Sequence, residues 1–313
     1  MWKKLSMVFV AALFLLVAAA CSSGAQDDQA KKKDEEEITV KHKFGETPVK
    51  KNPEKVVVFD FGSLDTLDKL GVEVAGLPKQ IVPSYLSKYK EDKYENLGAL
   101  KEPDFEKIHA LKPDLIILST RQSDLYDQFA EIAPTIYLEL DPNNYMKSFE
   151  ENAKTLGKIF GKEEQVKKEL ASIQDSIKQE QDKASKTDKK GLVILANDGK
   201  VSAFGPGSRF GFIHDELGIA PADKNIEVSR HGQSISFEYI VEQNPDYLFV
   251  IDRGAVVGGQ SSAKQVVENE LVKNTKAYKN KNVVYLDPNY WYLSSGGLQS
   301  VSEMIKEVEN GIK

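Results

Sequence analysis

The chain has 313 residues, 41% of them hydrophobic and 29% charged, with 21 Gly and 12 Pro. This globular composition is long enough for two domains and excludes collagen-like, wholly disordered and polytopic membrane proteins. Lys and Arg number 42 against 48 Asp and Glu, a net charge of −6 that argues against nucleic-acid binding as the main task. One Cys excludes a disulfide framework, a thiolate zinc finger and an iron–sulfur site.

The chain begins Met1-Trp2-Lys3-Lys4, continues with an apolar run over 5–20, and reaches Cys21. A charged start, a short apolar stretch and small residues before a cleavage point predict a leader peptide over 1–20. The run is shorter than the roughly 20 apolar residues of a membrane span. Ala18-Ala19-Ala20-Cys21 resembles a bacterial lipoprotein cleavage site, with Ala18 where Leu is usual. The resemblance implies that Cys21 carries lipid and anchors the chain to a membrane without a span. Residues 22–37 hold Lys31-Lys32-Lys33 and Asp34-Glu35-Glu36-Glu37 and nothing apolar larger than Ala. A disordered tether is therefore expected over 21–37.

From Ile38 the pattern becomes α/β. Val56-Val57-Val58-Phe59-Asp60 reads as a buried strand with a helix after it over 64–70. Further strands are expected over 115–119 and 136–140, and in the second half over 192–196, 247–251 and 283–286. Short apolar runs alternating with helical patterns indicate a mostly parallel sheet. Between the halves, Phe149, Ala153, Leu156 and Phe160 share a 4-3-4 spacing that Val166, Leu170, Ile173 and Ile177 repeat beyond Gly161. The second pattern predicts one long helix from Lys162 to about Ser185, with a narrow apolar stripe suited to a strut between lobes. The expected organisation is an N-terminal lobe over 38–160, a connecting helix over 161–188 and a C-terminal lobe over 189–313.

An internal repeat supports two lobes of one design. Phe105-Glu106-Lys107-Ile108, Pro113-Asp114 and Arg121 recur as Phe237-Glu238-Tyr239-Ile240, Pro245-Asp246 and Arg253, offset by 132 without a gap. Each unit reads as helix, Pro-Asp turn, buried strand and an Arg at the strand's end.

The chain has four Arg, at 121, 209, 230 and 253, and leaves its other cationic positions to Lys. Arg offers a rigid fork of donors suited to carboxylates and other paired oxygens. Arg121 and Arg253 follow strands, where open parallel sheets bind ligands. Arg209 lies in the loop Phe204-Gly205-Pro206-Gly207-Ser208-Arg209. Together the three predict a cationic cleft for an anionic ligand, with Arg230 left as a surface residue. Among His42, His109, His214 and His231, no spacing suits a helical pair of metal ligands, and His231 in Ser229-Arg230-His231-Gly232-Gln233 is the one plausible ligand. Tyr290, Trp291 and Tyr292 form an aromatic cluster after a strand, suited to core packing or to stacking on a flat ligand. No Gly-x-Ser-x-Gly, P-loop or His-Glu-x-x-His pattern is present.

Over essentially its whole length the sequence resembles the iron–siderophore ABC importer substrate-binding lipoproteins of Gram-positive bacteria. These are class III periplasmic-binding-protein-like chains, and the catecholate (petrobactin) branch is the nearest. The resemblance rests on 57–65, 105–121, Ser202-Ala203-Phe204-Gly205-Pro206, His231-Gly232-Gln233-Ser234, Val250-Ile251-Asp252-Arg253-Gly254 and Tyr290-Trp291-Tyr292-Leu293. It implies two Rossmann-like α/β lobes joined by one long helix, with the ligand in the cleft between them. It implies that Arg121, Arg209 and Arg253 contact a ferric catecholate, with Trp291 and Tyr292 beside it. His231 and Tyr292 are then direct iron ligands where the siderophore leaves coordination positions open. Glu106 and Glu238 would dock onto permease arginines. No enzymatic activity, resident cofactor or nucleic-acid partner is implied, and the chain would be a monomer on the extracellular face of the cell membrane. The competing readings are a hydroxamate siderophore or haem in the same cleft, and a tethered hydrolase or reductase using His231 with Asp215 or Glu216.

Overall fold

Strict alternation opens the fold. Ile38 and Val40 on β1 (Glu37–His42) and Thr47 and Val49 on β2 (Gly45–Lys50) are buried, and the residues between them face outward. This period-2 pattern makes an antiparallel hairpin, which the sequence reading passed over and which takes Glu37 from the expected tether. The structure, a computed structural model, describes residues 36–312; Cys21, the leader and the tether up to Glu35 lie outside the described residues. Among the described residues no helix is long and apolar enough to cross a membrane.

The first lobe is built on β3 (Val56–Val58), β4 (Gly76–Leu77), β5 (Glu95–Asn96), β6 (Leu115–Leu118) and β7 (Thr135–Tyr137). All pair in parallel, in the order β5-β4-β3-β6-β7. Each residue of β3 and β6 is buried, because helices cover both faces of a parallel sheet. The strand order reverses between β3 and β6, and the crevice beyond their carboxyl ends is where such sheets bind ligands.

The second lobe uses β8 (Lys190–Asn197), β9 (Lys200–Phe204), β10 (Ala220–Pro221), β11 (Gln233–Ile235), β12 (Tyr247–Asp252) and β13 (Val283–Leu286). Its order is β11-β9-β8-β12-β13, with β10 beside β8. Here the expected parallel repetition is corrected. β9 runs antiparallel to both neighbours. The cause is local: Asp198 and Gly199 turn the chain at φ 46° and 79°, an Asp-Gly hairpin signal.

The repeat itself is structural. The helices Phe105–Leu111 and Phe237–Gln243 are capped by Asp104 and Ser236, whose side chains accept from Lys107 N and Tyr239 N. Both helices end on a left-handed residue, Lys112 and Asn244. Asp114 accepts from Lys55 N at 2.8 Å and Asp246 from Lys190 N at 2.9 Å, so each Pro-Asp pins the start of its central strand.

The connecting helix is Glu163–Ala184, 22 residues or about 33 Å. It buries the expected stripe of Val166, Leu170, Ile173 and Ile177, but it is not an isolated strut. It packs between the helix Tyr145–Ile159 and the C-terminal helix Leu298–Gly311, in a core that also holds Leu70, Phe149, Phe212, Phe249 and Trp291. Gly157 permits the close approach, since a β-carbon there would lie 2.8 Å from Val166 Cγ2.

The C-terminal helix returns to the first lobe. Wholly buried Asp65, on the helix Phe61–Lys69, accepts from Gln299 N at 2.7 Å, Ser300 N at 2.9 Å and the Tyr85 hydroxyl at 2.6 Å. Asp65→Ala orphans these donors and should lower the unfolding free energy by about 2–4 kcal/mol. Urea unfolding measures this, and a loss under about 0.5 kcal/mol would show that the carboxylate does not hold the helix.

Candidate functional site

A cleft of about 650 Å³ opens between the two sheets, within the range of small-molecule sites. The first lobe supplies the loop ends after β3, β6 and β7, including Asp60, Ser119 and Arg121. The second supplies Leu195, Phe204, Arg209, His231 and Arg253, and Tyr292 closes the cleft from the segment Asn289–Leu293.

Three predicted arginines meet at Tyr292. Arg121 and Arg209 each donate from Nη2 to the Tyr292 carbonyl at 2.7 Å. Arg253 donates from Nε to the Tyr292 hydroxyl at 2.8 Å and from Nη1 to Asn197 Oδ1 at 2.7 Å. Their guanidinium carbons lie 5.9, 4.4 and 5.6 Å from the Tyr292 ring centre for Arg121, Arg209 and Arg253. Arg253 arrives directly at the end of β12. Arg121 sits in the turn Thr120–Leu125, which Ser119 and Gln122 cap reciprocally. Arg209 follows the Gly205–Ser208 turn, where Asp215 holds Gly207 N at 2.7 Å.

The electrostatics are lopsided. Every ion pair among the described residues uses a Lys, and none an Arg. Burial, and then the charge of Arg121, brings Arg209 down to about 10. Arg121 is lowered too, by burial first, although Asp60 pulls the other way. Burial alone would raise the Tyr292 phenol. The hydrogen bond from Arg253 and the charges of Arg209, Arg253 and Arg121 outweigh it and bring the phenol below its ordinary value. The cleft thus gathers three guanidinium groups around a phenol whose ionised form their charges favour.

Other sequence assignments fall differently. Trp291 is corrected: it is 0% exposed, and its Nε1 donates to Glu307 at 2.8 Å, so it anchors the segment from behind and touches no ligand space. Tyr290 likewise turns away and packs on Tyr85. Arg230 is exposed, as expected of a surface residue, but it also lines the cleft, and its charge reaches Arg121 and Arg209. His231 lines the cleft as expected, but Asp215 is spent on Gly207, and neither Asp215 nor Glu216 lines the cleft. The hydrolytic arrangement thus has no geometry. Glu106 and Glu238 are exposed in the first turns of matching helices, outside the cleft. Among the described residues no group of three or more His, Cys, Asp or Glu is placed to hold a metal ion.

Several cleft residues were missed. Lys101, Asp60, Glu139, Tyr145 and Asn152 line it. The expected strand over 136–140 ends at Tyr137. Asn152 Nδ2 donates to Glu139 O at 3.0 Å, and Asp141 caps the turn Pro142–Asn144, which holds 138–142 as a cleft-lining loop. Asp141-Pro142 was the available signal, because Asp before Pro favours turn initiation.

The phenol is directly measurable. Absorbance titration of the native protein minus Tyr292→Phe should show one tyrosine ionising below pH 10, and Arg253→Ala should move it upward. An ionisation at or above 10 would contradict the cluster.

Known proteins can be set against this geometry. The family model for periplasmic binding proteins matches residues 56–290. The petrobactin-binding protein YclQ of Bacillus subtilis is 62% identical over 281 residues, covering 88% of this chain and 89% of its own. Its crystal structure aligns with a TM-score of 0.86 over 88% of this chain and 98% of that one. The ferric-anguibactin-binding protein FatB of Vibrio anguillarum is 36% identical over 280 residues, covering 88% and 87%. The periplasmic catecholate-siderophore binding protein VctP of Vibrio cholerae, also 36% identical, aligns with a TM-score of 0.84 over 88% and 100%. With its two α/β lobes, intervening cleft and match over most of its length, the chain belongs to the periplasmic binding protein family.

Proposed function

We propose that this chain captures a ferric catecholate siderophore of the petrobactin class outside the cell and delivers it to an ABC importer. The observation that carries the reading is the convergence of Arg121, Arg209 and Arg253 on Tyr292, with none of them in an ion pair among the described residues. The similarity to a petrobactin-binding protein supports the choice of ligand. A ferric tris-catecholate spreads net negative charge over its oxygens. Guanidinium groups donate to those oxygens without competing for the iron, because they carry no lone pair to offer. Tyr292, and His231 at the cleft edge, supply an oxygen and a nitrogen to iron where a siderophore leaves positions open.

The remaining roles follow from place. Glu106 and Glu238 stand exposed on matching helices of the two lobes, as a two-point contact to a cationic permease surface requires. Cys21 carries the lipid, and the intact mass of the membrane-bound protein reads this.

Each hydrogen bond to a charged group contributes about 1.5–3 kcal/mol. Arg121→Ala, Arg209→Ala and Arg253→Ala should therefore each weaken ferric petrobactin binding by roughly 10- to 100-fold, and Lys at these positions should restore only part. Fluorescence quenching of Trp291 measures this. The double change Glu106→Ala with Glu238→Ala should keep affinity and lose uptake. Small, equal losses for all three arginines would end the proposal.

A further inference from the structure

Arg230 is the cleft arginine that the Tyr292 cluster leaves unused. It sits in the turn 229–232, at the edge of the second sheet just before β11. Gly232 N donates to Ser229 O at 3.2 Å, and Ser229 Oγ donates to Gly232 O at 3.0 Å, which places Arg230 and His231 at the tip. Gly232 holds a φ of 74°, and a β-carbon there would lie 2.6 Å from the Phe204 ring, so the base of the turn requires Gly. The tip is different. Arg230 and His231 are exposed and line the cleft, and so does Val228, which is 57% exposed.

The Arg230 side chain has no hydrogen bond or ion pair among the described residues, unlike Arg121, Arg209 and Arg253, which are fixed through Tyr292. Its charge nevertheless reaches Arg121 and Arg209, adding to the burial that lowers both and, at Arg209, to the charge of Arg121. Among the described residues no hydrogen bond or ion pair draws this fourth guanidinium toward the other three. A multiply charged anion held by those three does, because its attraction for Arg230 then exceeds the repulsion.

We propose that Arg230 is a fourth anion-gripping residue, and that the charge of the bound anion draws the turn 229–232 over the cleft mouth with His231 on it. The proposal rests on the cleft being the ferric catecholate site. It differs from that reading in assigning a fixed cradle to three arginines and a charge-driven clasp to the fourth. A clasp needs charge and reach rather than a rigid fork, so Lys serves at 230. At 253 it does not, because Arg253 uses two nitrogens in two set directions.

The test is a titration with ferric petrobactin, read by Trp291 fluorescence, at low ionic strength and at about 1 M salt, where the screening length is about 3 Å. Arg230→Ala should weaken binding about tenfold at low salt, mainly through faster release, and the difference should largely vanish at high salt. Arg230→Lys should stay within about twofold of the native protein, whereas Arg253→Lys should not. Native-like binding by Arg230→Ala would overturn the clasp and leave the cradle standing. A loss that salt does not reduce and Lys does not rescue would also overturn it, because the residue would then be a fixed contact. If Arg253→Lys is silent as well, the catecholate reading falls with it.

Discussion

Three guanidinium groups held around one tyrosine, none of them in an ion pair among the described residues, set the terms for the rest of the molecule. Like charges at this spacing repel, so the scaffold must supply what holds them. The Tyr292 carbonyl accepts from two of them, and the Tyr292 hydroxyl and Asn197 orient the third. Tyr292 is fixed in turn by neighbours that never reach the cleft. Trp291 is bound to Glu307, Ser294 Oγ donates to Asn289 O, and Ser300 Oγ donates to Ser294 O. Behind these, Asp65 of the first lobe holds the start of the C-terminal helix. The segment carrying Tyr292 is thus braced from both lobes, and the three like charges stay in a defined place. Preorganised donors of this kind favour an anion without the cost of gathering them at binding.

The same bracing limits how the cleft can close. The connecting helix shares one apolar core with the helices on either side of it, and that core contains residues of both lobes. Packed cores shift between discrete arrangements and do not deform smoothly, so a wide hinge motion would break many contacts at once. Closure over a ligand therefore falls to short segments at the cleft mouth. The turn that presents Arg230 and His231 is such a segment, anchored at Gly232 and exposed at its tip.

Much of this was legible in the sequence because it depends on local chemistry. The repeat at an offset of 132 reported two equivalent helix–turn–strand units, since caps, Pro-Asp turns and buried strands are written in neighbouring residues. The scarcity of Arg made Arg121, Arg209 and Arg253 conspicuous, and position after strands placed them on one cleft. What was not legible depends on which way a side chain turns in three dimensions. Tyr290, Trp291 and Tyr292 are adjacent in sequence, yet of these three aromatic residues of the irregular helix Asn289–Leu293 Tyr292 alone lines the cleft. Arg230 looked like a surface residue because exposure and cleft lining coincide at the mouth of a cavity. The antiparallel β9 was signalled by Asp198-Gly199, and reading the second half as a copy of the first hid it.

The central claim is that the cleft selects a ligand by concentrated negative charge. The most direct test compares affinities for ferric petrobactin, a neutral ferric tris-hydroxamate and haem, read by Trp291 fluorescence under one set of conditions. The account predicts saturable binding of ferric petrobactin, with the neutral hydroxamate at least about 100-fold weaker, as expected for the loss of two or more charge-assisted hydrogen bonds. Equal affinity for the neutral complex, or chemical turnover of any of the three, would contradict it.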